Sequence, residues 1–287
     1  MFGTITIVGV GLIGGSLGLA AKQRGIAQQV MGVGRDKQSL ARAKKRGAID
    51  DFTTDLAEGV RAADLVVVCT PVRSIAEFVL EAARHAPSTV LITDVGSTKA
   101  ALVKQVEAGL KKAKSTVAFV GSHPMAGSEK NGSEHARANL FEGRAAIITP
   151  SKSSQPAAVE RLRQFWEALG ARVFALSPLE HDRAAATISH VPHVVAAALA
   201  AATPEDCWPL AAGGWLDTTR IAAGDPELWR QILTENRSHT LKGLAQFEKV
   251  LTALRVSLES ESDTKLLQLL QAGKQARDAV GSRHPTG

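Results

Sequence analysis

Across the first 175 residues the apolar positions gather into short runs, most of them separated by longer stretches with apolar residues at helical spacing. The runs lie at Thr4–Val8, Gln29–Val33, Leu65–Cys69, Val90–Thr93, Val117–Val120 and Ala145–Ile148, with a last one at Arg172–Ala175. Alternation of this kind predicts an α/β fold with a largely parallel sheet. After Ala175 the pattern is helical only. Ser177 with Pro178 reads as a cap and first turn, and a long Ala-rich helix follows. Gly213 and Gly214 mark a turn, and Asp225 with Pro226 opens helical periodicity that reaches about Val280. Two domains are expected, an alternating one over 1–175 and an all-helical one over 176–287, ending in a disordered tail from Gly281 to Gly287.

Length and composition agree with that division. A chain of 287 residues exceeds the usual single-domain size, and 45% hydrophobic with 22% charged residues suits a globular core rather than a disordered or fibrous chain. The net charge of +6 is scattered and only 4% of residues are aromatic, so stacking platforms for nucleic acid are few. An anionic small molecule accounts for the charge equally well. Cys69 and Cys207 form no disulfide or metal-ligand pattern, which fits a reducing cytoplasm. The chain enters a strand pattern without a basic leader, and Pro192 and His193 interrupt its most apolar run, so neither export nor membrane insertion is expected.

The first run leads directly into Gly9-Val10-Gly11-Leu12-Ile13-Gly14. Glycines at this spacing, between a strand and a helix, allow a tight turn and let a pyrophosphate approach the helix N-terminus without a Cβ in the way. Gly9, Gly11 and Gly14, with Leu12 and Ile13 between them, are therefore expected to bind a dinucleotide, and the first domain to be of the Rossmann type. At the end of the second strand, Gly34 stands where an acid for the ribose hydroxyls is usual, and Arg35 follows it. Loss of that carboxylate and a guanidinium nearby favour the 2′-phosphate of NADP. The alternative is NAD, with Arg35 solvated and Asp36 reaching the ribose. Thr70 and Pro71 end another strand-like run, where they either line the adenosine and ribose or form an ordinary turn.

Two polar segments follow later strands, Thr93-Asp94-Val95-Gly96-Ser97-Thr98-Lys99 and Gly121-Ser122-His123-Pro124-Met125-Ala126-Gly127. Both read as loops at the nicotinamide end of the sheet. Oxidation of an alcohol needs a base in reach of the hydroxyl, and the near-neutral pKa of histidine makes His123 the candidate. Ser97 is placed to orient that imidazole or bridge it to the cofactor.

Taken together, GVGLIGGS, DVGSTK, GSHPMAGSEKNG, ISHVPH and GGWLDTTRIAAGDPELW resemble the prephenate and arogenate (cyclohexadienyl) dehydrogenases in order and spacing, over nearly the whole chain. The resemblance implies hydride transfer from the hydroxyl-bearing ring carbon to the nicotinamide of NAD or NADP, with loss of the ring carboxylate as carbon dioxide, in tyrosine biosynthesis. It also implies that His123 takes the hydroxyl proton, that Ser97 contacts both His123 and the cofactor, and that Asp94 belongs to the cofactor-binding residues. It assigns Ser122, Ser128, Asn131, His190, His193, Arg220 and Trp229 to the substrate region, and the helical domain to homodimerisation. By residue pattern alone, His190 and His193 read equally as structural or capping groups, Arg220 as a surface charge and Trp229 as core. Asn131, neutral where some arogenate-preferring relatives are acidic, favours prephenate, although Glu129 is close enough to compensate. No residues are left over for a chorismate mutase or ACT domain, so any feedback is expected to act near the active site.

Two other functions remain open at this stage. A 3-hydroxyacid-type dehydrogenase shares the architecture but is expected to use a central lysine, for which Lys99 is the candidate. A catalytically inactive NADP-sensing protein would keep the fold yet has no use for His123, Ser97 and Arg220.

Overall fold

The structure is a computed structural model and describes residues 1–127, 130 and 132–283. Strands β1 (Phe2–Val8), β2 (Ala27–Val33), β3 (Asp51–Thr53), β4 (Leu65–Val68), β5 (Leu91–Asp94) and β6 (Ala118–Phe119) form one sheet in the order β3-β2-β1-β4-β5-β6. All its pairings are parallel. Helices α1 (Leu12–Gln23), α2 (Lys37–Lys45), α3 (Leu56–Val60), α4 (Val72–His85) and α5 (Ala100–Lys112) make the crossovers. The order reverses between β1 and β4, so the loops after these strands open a crevice at their carboxyl ends. This is the Rossmann-type fold that the alternating pattern predicts.

Both faces of the sheet are covered, and β4 shows how. Leu65 and Val67 belong to a core with Leu17 of α1, while Val66 and Val68 point to the opposite face and pack with Ile75 and Val79 of α4. A strand buried on both sides has no polar face to lose, which is why these runs read as unbroken apolar sequence.

The chain then departs from the predicted elements. Gly121–Pro124, expected as a loop, is a strand, β7. It pairs antiparallel with β8 (Ala145–Thr149), setting His123 opposite Ile147, and β8 pairs in parallel with β9 (Arg172–Ala175) as a second, three-stranded sheet. The antiparallel register fixes the backbone of His123 far more tightly than a loop would. Between β8 and β9, α6 (Pro156–Ala168) buries Trp166 against Phe141 and Phe165 against Trp166 and Phe2.

Helices α7 (Pro178–Ala185), α8 (Val191–Ala202), α9 (Gly213–Thr219), α10 (Pro226–Glu235), α11 (Arg237–Glu259) and α12 (Asp263–Arg283) complete the chain. Ser177 caps α7 through a reciprocal pairing with Glu180, and Asp225 caps α10 by accepting from the Leu228 amide. Gly213 and Gly214 form the first turn of α9 rather than a loop. Gly281–Arg283 are helical, contrary to the expected tail; the remainder of that tail, 284–287, lies outside the described residues.

Two compact units result, Met1–Arg237 and Ser238–Gly287. The first extends beyond the change of pattern at Ala175 because α7 packs against α5 and β8. The continuous helical stretch Pro178–Ala202 is long and apolar enough to cross a membrane by composition. It nevertheless carries His181, Asp182, His190 and His193, all buried within the protein.

Candidate active site

The glycine turn is built as its spacing requires. Gly9 has φ +95°, a left-handed value that favours glycine, and a Cβ on Gly14 would lie 2.2 Å from the Gly9 carbonyl oxygen. A Cβ on Gly11 would meet nothing, so open space lies in front of the α1 N-terminus, whose first turn has no side-chain cap. A cavity of about 620 Å³ runs from Gly9 and Gly11 past Gly34 and Arg35 to Thr70 and Pro71. Thr70 Oγ1 is buried there without a protein partner, as expected of a hydroxyl whose partner is a ligand. Leu12 and Ile13 line an adjoining cavity shared with Ser97 and His123. Asp36 lines the cavity of Gly34 and Arg35, and its carboxylate caps α2, accepting from the amides of Gln38 at 3.0 Å and Ser39 at 3.2 Å.

Asp94 and Ser122 do something other than touch ligands. Both are fully buried. The Asp94 carboxylate pairs with the Lys99 ammonium, also fully buried, and accepts from the amides of Gly96 at 2.7 Å and Ser122 at 3.2 Å. The Ser122 hydroxyl donates to the Asp94 carbonyl at 2.6 Å. These groups brace the β5 loop against β7 from behind. Burial lowers the pKa of Lys99, and the charge of Asp94 opposes that fall.

His123 reaches the front of the same wall. Its Nδ1 lies 2.9 Å from Nε2 of His181, and His181 Nδ1 lies 2.8 Å from Oδ1 of Asp182. The Asp182 carboxylate also accepts from the amides of Lys99 at 2.7 Å and Ala100 at 2.9 Å. Thus the partner at Nδ1 of His123 is His181 on α7, while Ser97 stands beside His123 along the cavity. Burial, followed by the proximity of His181, Lys99 and His190, pushes the His123 pKa well below 6.5. The imidazole is uncharged at neutral pH, as a proton acceptor must be.

His190 closes a π-helical turn, Ala186–His190, between α7 and α8. Its Nε2 is buried without a protein partner, and it lines a cavity of about 410 Å³ together with Ser97, His123, Arg220 and Trp229. Burial holds its pKa at about 4. His193 lies outside that lining, stacked on Trp229 at 3.5 Å between ring centroids. Its stacking supports the indole, and its Nδ1, like Nε2 of His190, is buried without a hydrogen-bond partner. Arg220 borders both this cavity and a neighbouring one lined by Lys130, His135, Arg137 and Arg144. Ser128, Glu129 and Asn131 lie outside the described residues.

Of the residues that motif reading missed, His181, Asp182 and Asn236 matter most. Asn236 Nδ2 donates to the Asp182 carbonyl at 2.7 Å and faces His190 Nδ1 at 3.3 Å. Nothing in their spacing marks them: the contacts join positions 58, 54 and 46 residues apart.

The sequence matches the family described as prephenate dehydrogenase, nucleotide-binding domain, over residues 17–175, and prephenate dehydrogenase, dimerization domain, over residues 177–272. It is similar to a prephenate dehydrogenase of Bacillus subtilis (strain 168), 37% identical over 287 residues, covering 98% of this chain and 76% of that protein. A cyclohexadienyl dehydrogenase of Zymomonas mobilis is 33% identical, with 99% of this chain and 98% of that protein covered. A crystal structure of prephenate dehydrogenase from A. aeolicus, in complex with hydroxyphenyl propionate and NAD+, superposes with a TM-score of 0.89 at 34% identity, covering 98% of this chain and 99% of that one.

Two predictions follow from the electrostatics. The acid limb of kcat/KM should lie below pH 6.5, because His123 stays uncharged through the neutral range; a limb centred at or above 6.5 in a pH–rate series contradicts this. Lys99→Met leaves the Asp94 charge buried and unpaired, and should lower the free energy of urea unfolding by about 3–5 kcal/mol.

Proposed function

The chain belongs to the prephenate dehydrogenase family, and on that premise we propose that it prefers prephenate to arogenate and NADP to NAD. Its activity is that of a prephenate/arogenate dehydrogenase of tyrosine biosynthesis. A bound nicotinamide nucleotide supplies the hydride acceptor, and the glycine turn, the Gly34–Arg35 end of β2 and the Thr70–Pro71 loop fit it. His123 Nε2 takes the proton of the ring hydroxyl as the hydride leaves the same carbon. The bond from the ring to its carboxylate then breaks, carbon dioxide departs, and the electron pair completes the aromatic ring. Aromatisation drives the step, so the protein has to align the groups and place charge rather than supply a strong acid.

The substrate preference rests on one observation. Among the described residues, the two cavities that Arg220 borders are lined by Lys130, His135, Arg137, Arg144 and Arg220, and by no carboxylate. Prephenate carries two carboxylates and no cation, whereas the ammonium of arogenate has no described partner there. In this reading Arg220 grips a substrate carboxylate, and Ser97 and Trp229 line the ring.

NADP is supported by Gly34 and Arg35, both of which line the cavity at the end of β2. NAD is the alternative, supported by the NAD+ complex of the A. aeolicus relative. A second copy of the chain is the expected partner of the helical region 176–287, supported by the dimerization-domain match and by exposed Leu241, Phe247 and Leu251 on α11. We place the enzyme in the cytoplasm.

Initial rates for prephenate and arogenate, each with NAD and NADP, should be highest for prephenate with NADP. An arogenate preference above about tenfold, which corresponds to roughly 1.4 kcal/mol of transition-state binding, overturns the substrate assignment. A clear NAD preference overturns the cofactor assignment. Arg220→Ala should raise KM by about tenfold or more, the effect of losing a charge-assisted carboxylate contact, with a smaller change in kcat; an unchanged KM removes Arg220 from the substrate site.

A further inference from the structure

The two histidines of the cavity are wired to one hub. Asp182 engages one with its side chain and the other with its main chain. On the side-chain branch, an ionised carboxylate only accepts hydrogen bonds, so His181 must donate from Nδ1. With His181 uncharged, its Nε2 presents a lone pair, and His123 donates to it from Nδ1. That leaves the lone pair of His123 on Nε2, at the edge of the ring that borders the cavity.

The main-chain branch gives the opposite result. A backbone carbonyl also only accepts, so the Asp182 carbonyl at 2.7 Å fixes which end of the Asn236 amide is the NH2. The second hydrogen of that NH2 faces His190 Nδ1 at 3.3 Å, which makes Nδ1 an acceptor. An uncharged His190 then carries its hydrogen on Nε2, the buried nitrogen without a protein partner.

We infer that Asp182 and Asn236 are positioning residues that hold the two cavity histidines in opposite tautomers, so that His123 Nε2 accepts a proton while His190 Nε2–H donates to a substrate oxygen. The substrate half of this statement rests on the dehydrogenase reading; the tautomers do not. The arrangement separates two tasks that a single imidazole cannot perform at once. A base must offer a lone pair to the hydroxyl, and a neighbouring donor must hold an oxygen of the same substrate without competing for its proton. His181 and Asp182 of α7, Lys99 ahead of α5 and His190 face His123, whereas Asp182, His181 and His193 face His190. Asp182 and His181 are buried, and their role in this reading is to orient the base.

Long-range nitrogen–proton correlation spectra of the imidazoles, recorded on the whole wild-type protein without substrate, test the assignment directly. The expected result is Nδ1–H for His123 and Nε2–H for His190; the reverse tautomer at either residue, or a charged His181, overturns it. Asp182→Asn preserves shape but offers an amide that can donate to His181 Nδ1. His123 should then shift to Nε2–H, and kcat with prephenate should fall by about 10²- to 10⁴-fold with little change in KM, the pattern seen when a triad carboxylate becomes an amide. Asn236→Leu should release the His190 tautomer and raise KM about fivefold to tenfold while leaving the acid limb of kcat/KM in place. Unchanged spectra and unchanged kcat in Asp182→Asn overturn the inference, and should that variant not fold, the wild-type spectrum decides alone. Wild-type turnover of prephenate in the same preparation tests the dehydrogenase reading separately.

Discussion

The buried carboxylate of Asp182 is the constraint on which the site depends. It comes from α7, yet two of its hydrogen bonds run to the amides of Lys99 and Ala100, where α5 begins. Removing a carboxylate from water costs several kcal/mol, and here burial does work against the charge. The hydrogen bond from His181 and those from the two amides outweigh it, so the pKa of Asp182 still lies below the ordinary carboxylate value. Bonds to a charged acceptor contribute roughly 1.5–3 kcal/mol each, and the positive end of the α5 dipole adds to them. Helix α7 is thereby pinned to the start of α5 at the carboxyl edge of the parallel sheet, at the point where the base is displayed.

Lys99 joins this constraint to a second one. Its amide serves Asp182, while its ammonium serves Asp94 at the end of β5. One short segment therefore satisfies two buried carboxylates that come from different parts of the chain. Its side chain is wholly enclosed, which places a fixed positive charge behind His123 and helps keep that imidazole uncharged. A lysine so placed has no access to a substrate, and this separates the site from a dehydrogenase with a central lysine. The same enclosure explains why Asp94 and Ser122, polar residues in conspicuous motifs, make structure rather than contacts with ligands.

The parallel sheet, the glycine turn and the caps at Ser177 and Asp225 were legible because each is a local property: a run, a spacing or a residue type at a helix start. His123 and Ser97 were legible because they sit at strand ends. The failures are equally physical. Gly121-Ser122-His123-Pro124 combines residues that strands usually avoid, and it is a strand only because β8 supplies the ladder. β3 has three residues and no pattern of its own. His181 and Asp182 lie in the short helix α7 and Asn236 is the C-cap of α10, and their importance exists only across the fold. Motif reading found the base; it had no means of finding what aims it.

His190 and His193 stand beside a helical irregularity at the cavity wall. Residues three apart on an α-helix share a face, and both rings reach Trp229. Pro192 prevents regular hydrogen bonding at this point, since it has no amide to donate and its ring crowds the carbonyl one turn back. The π-helical turn at Ala186–His190 absorbs that conflict by widening the helix just before the proline. Both histidines meet Trp229, His190 edge-on with ring centroids 6.2 Å apart and His193 stacked at 3.5 Å. His190 also faces Asn236 and lines the cavity with Ser97 and His123, so the indole and the two imidazoles form one packed wall beside it.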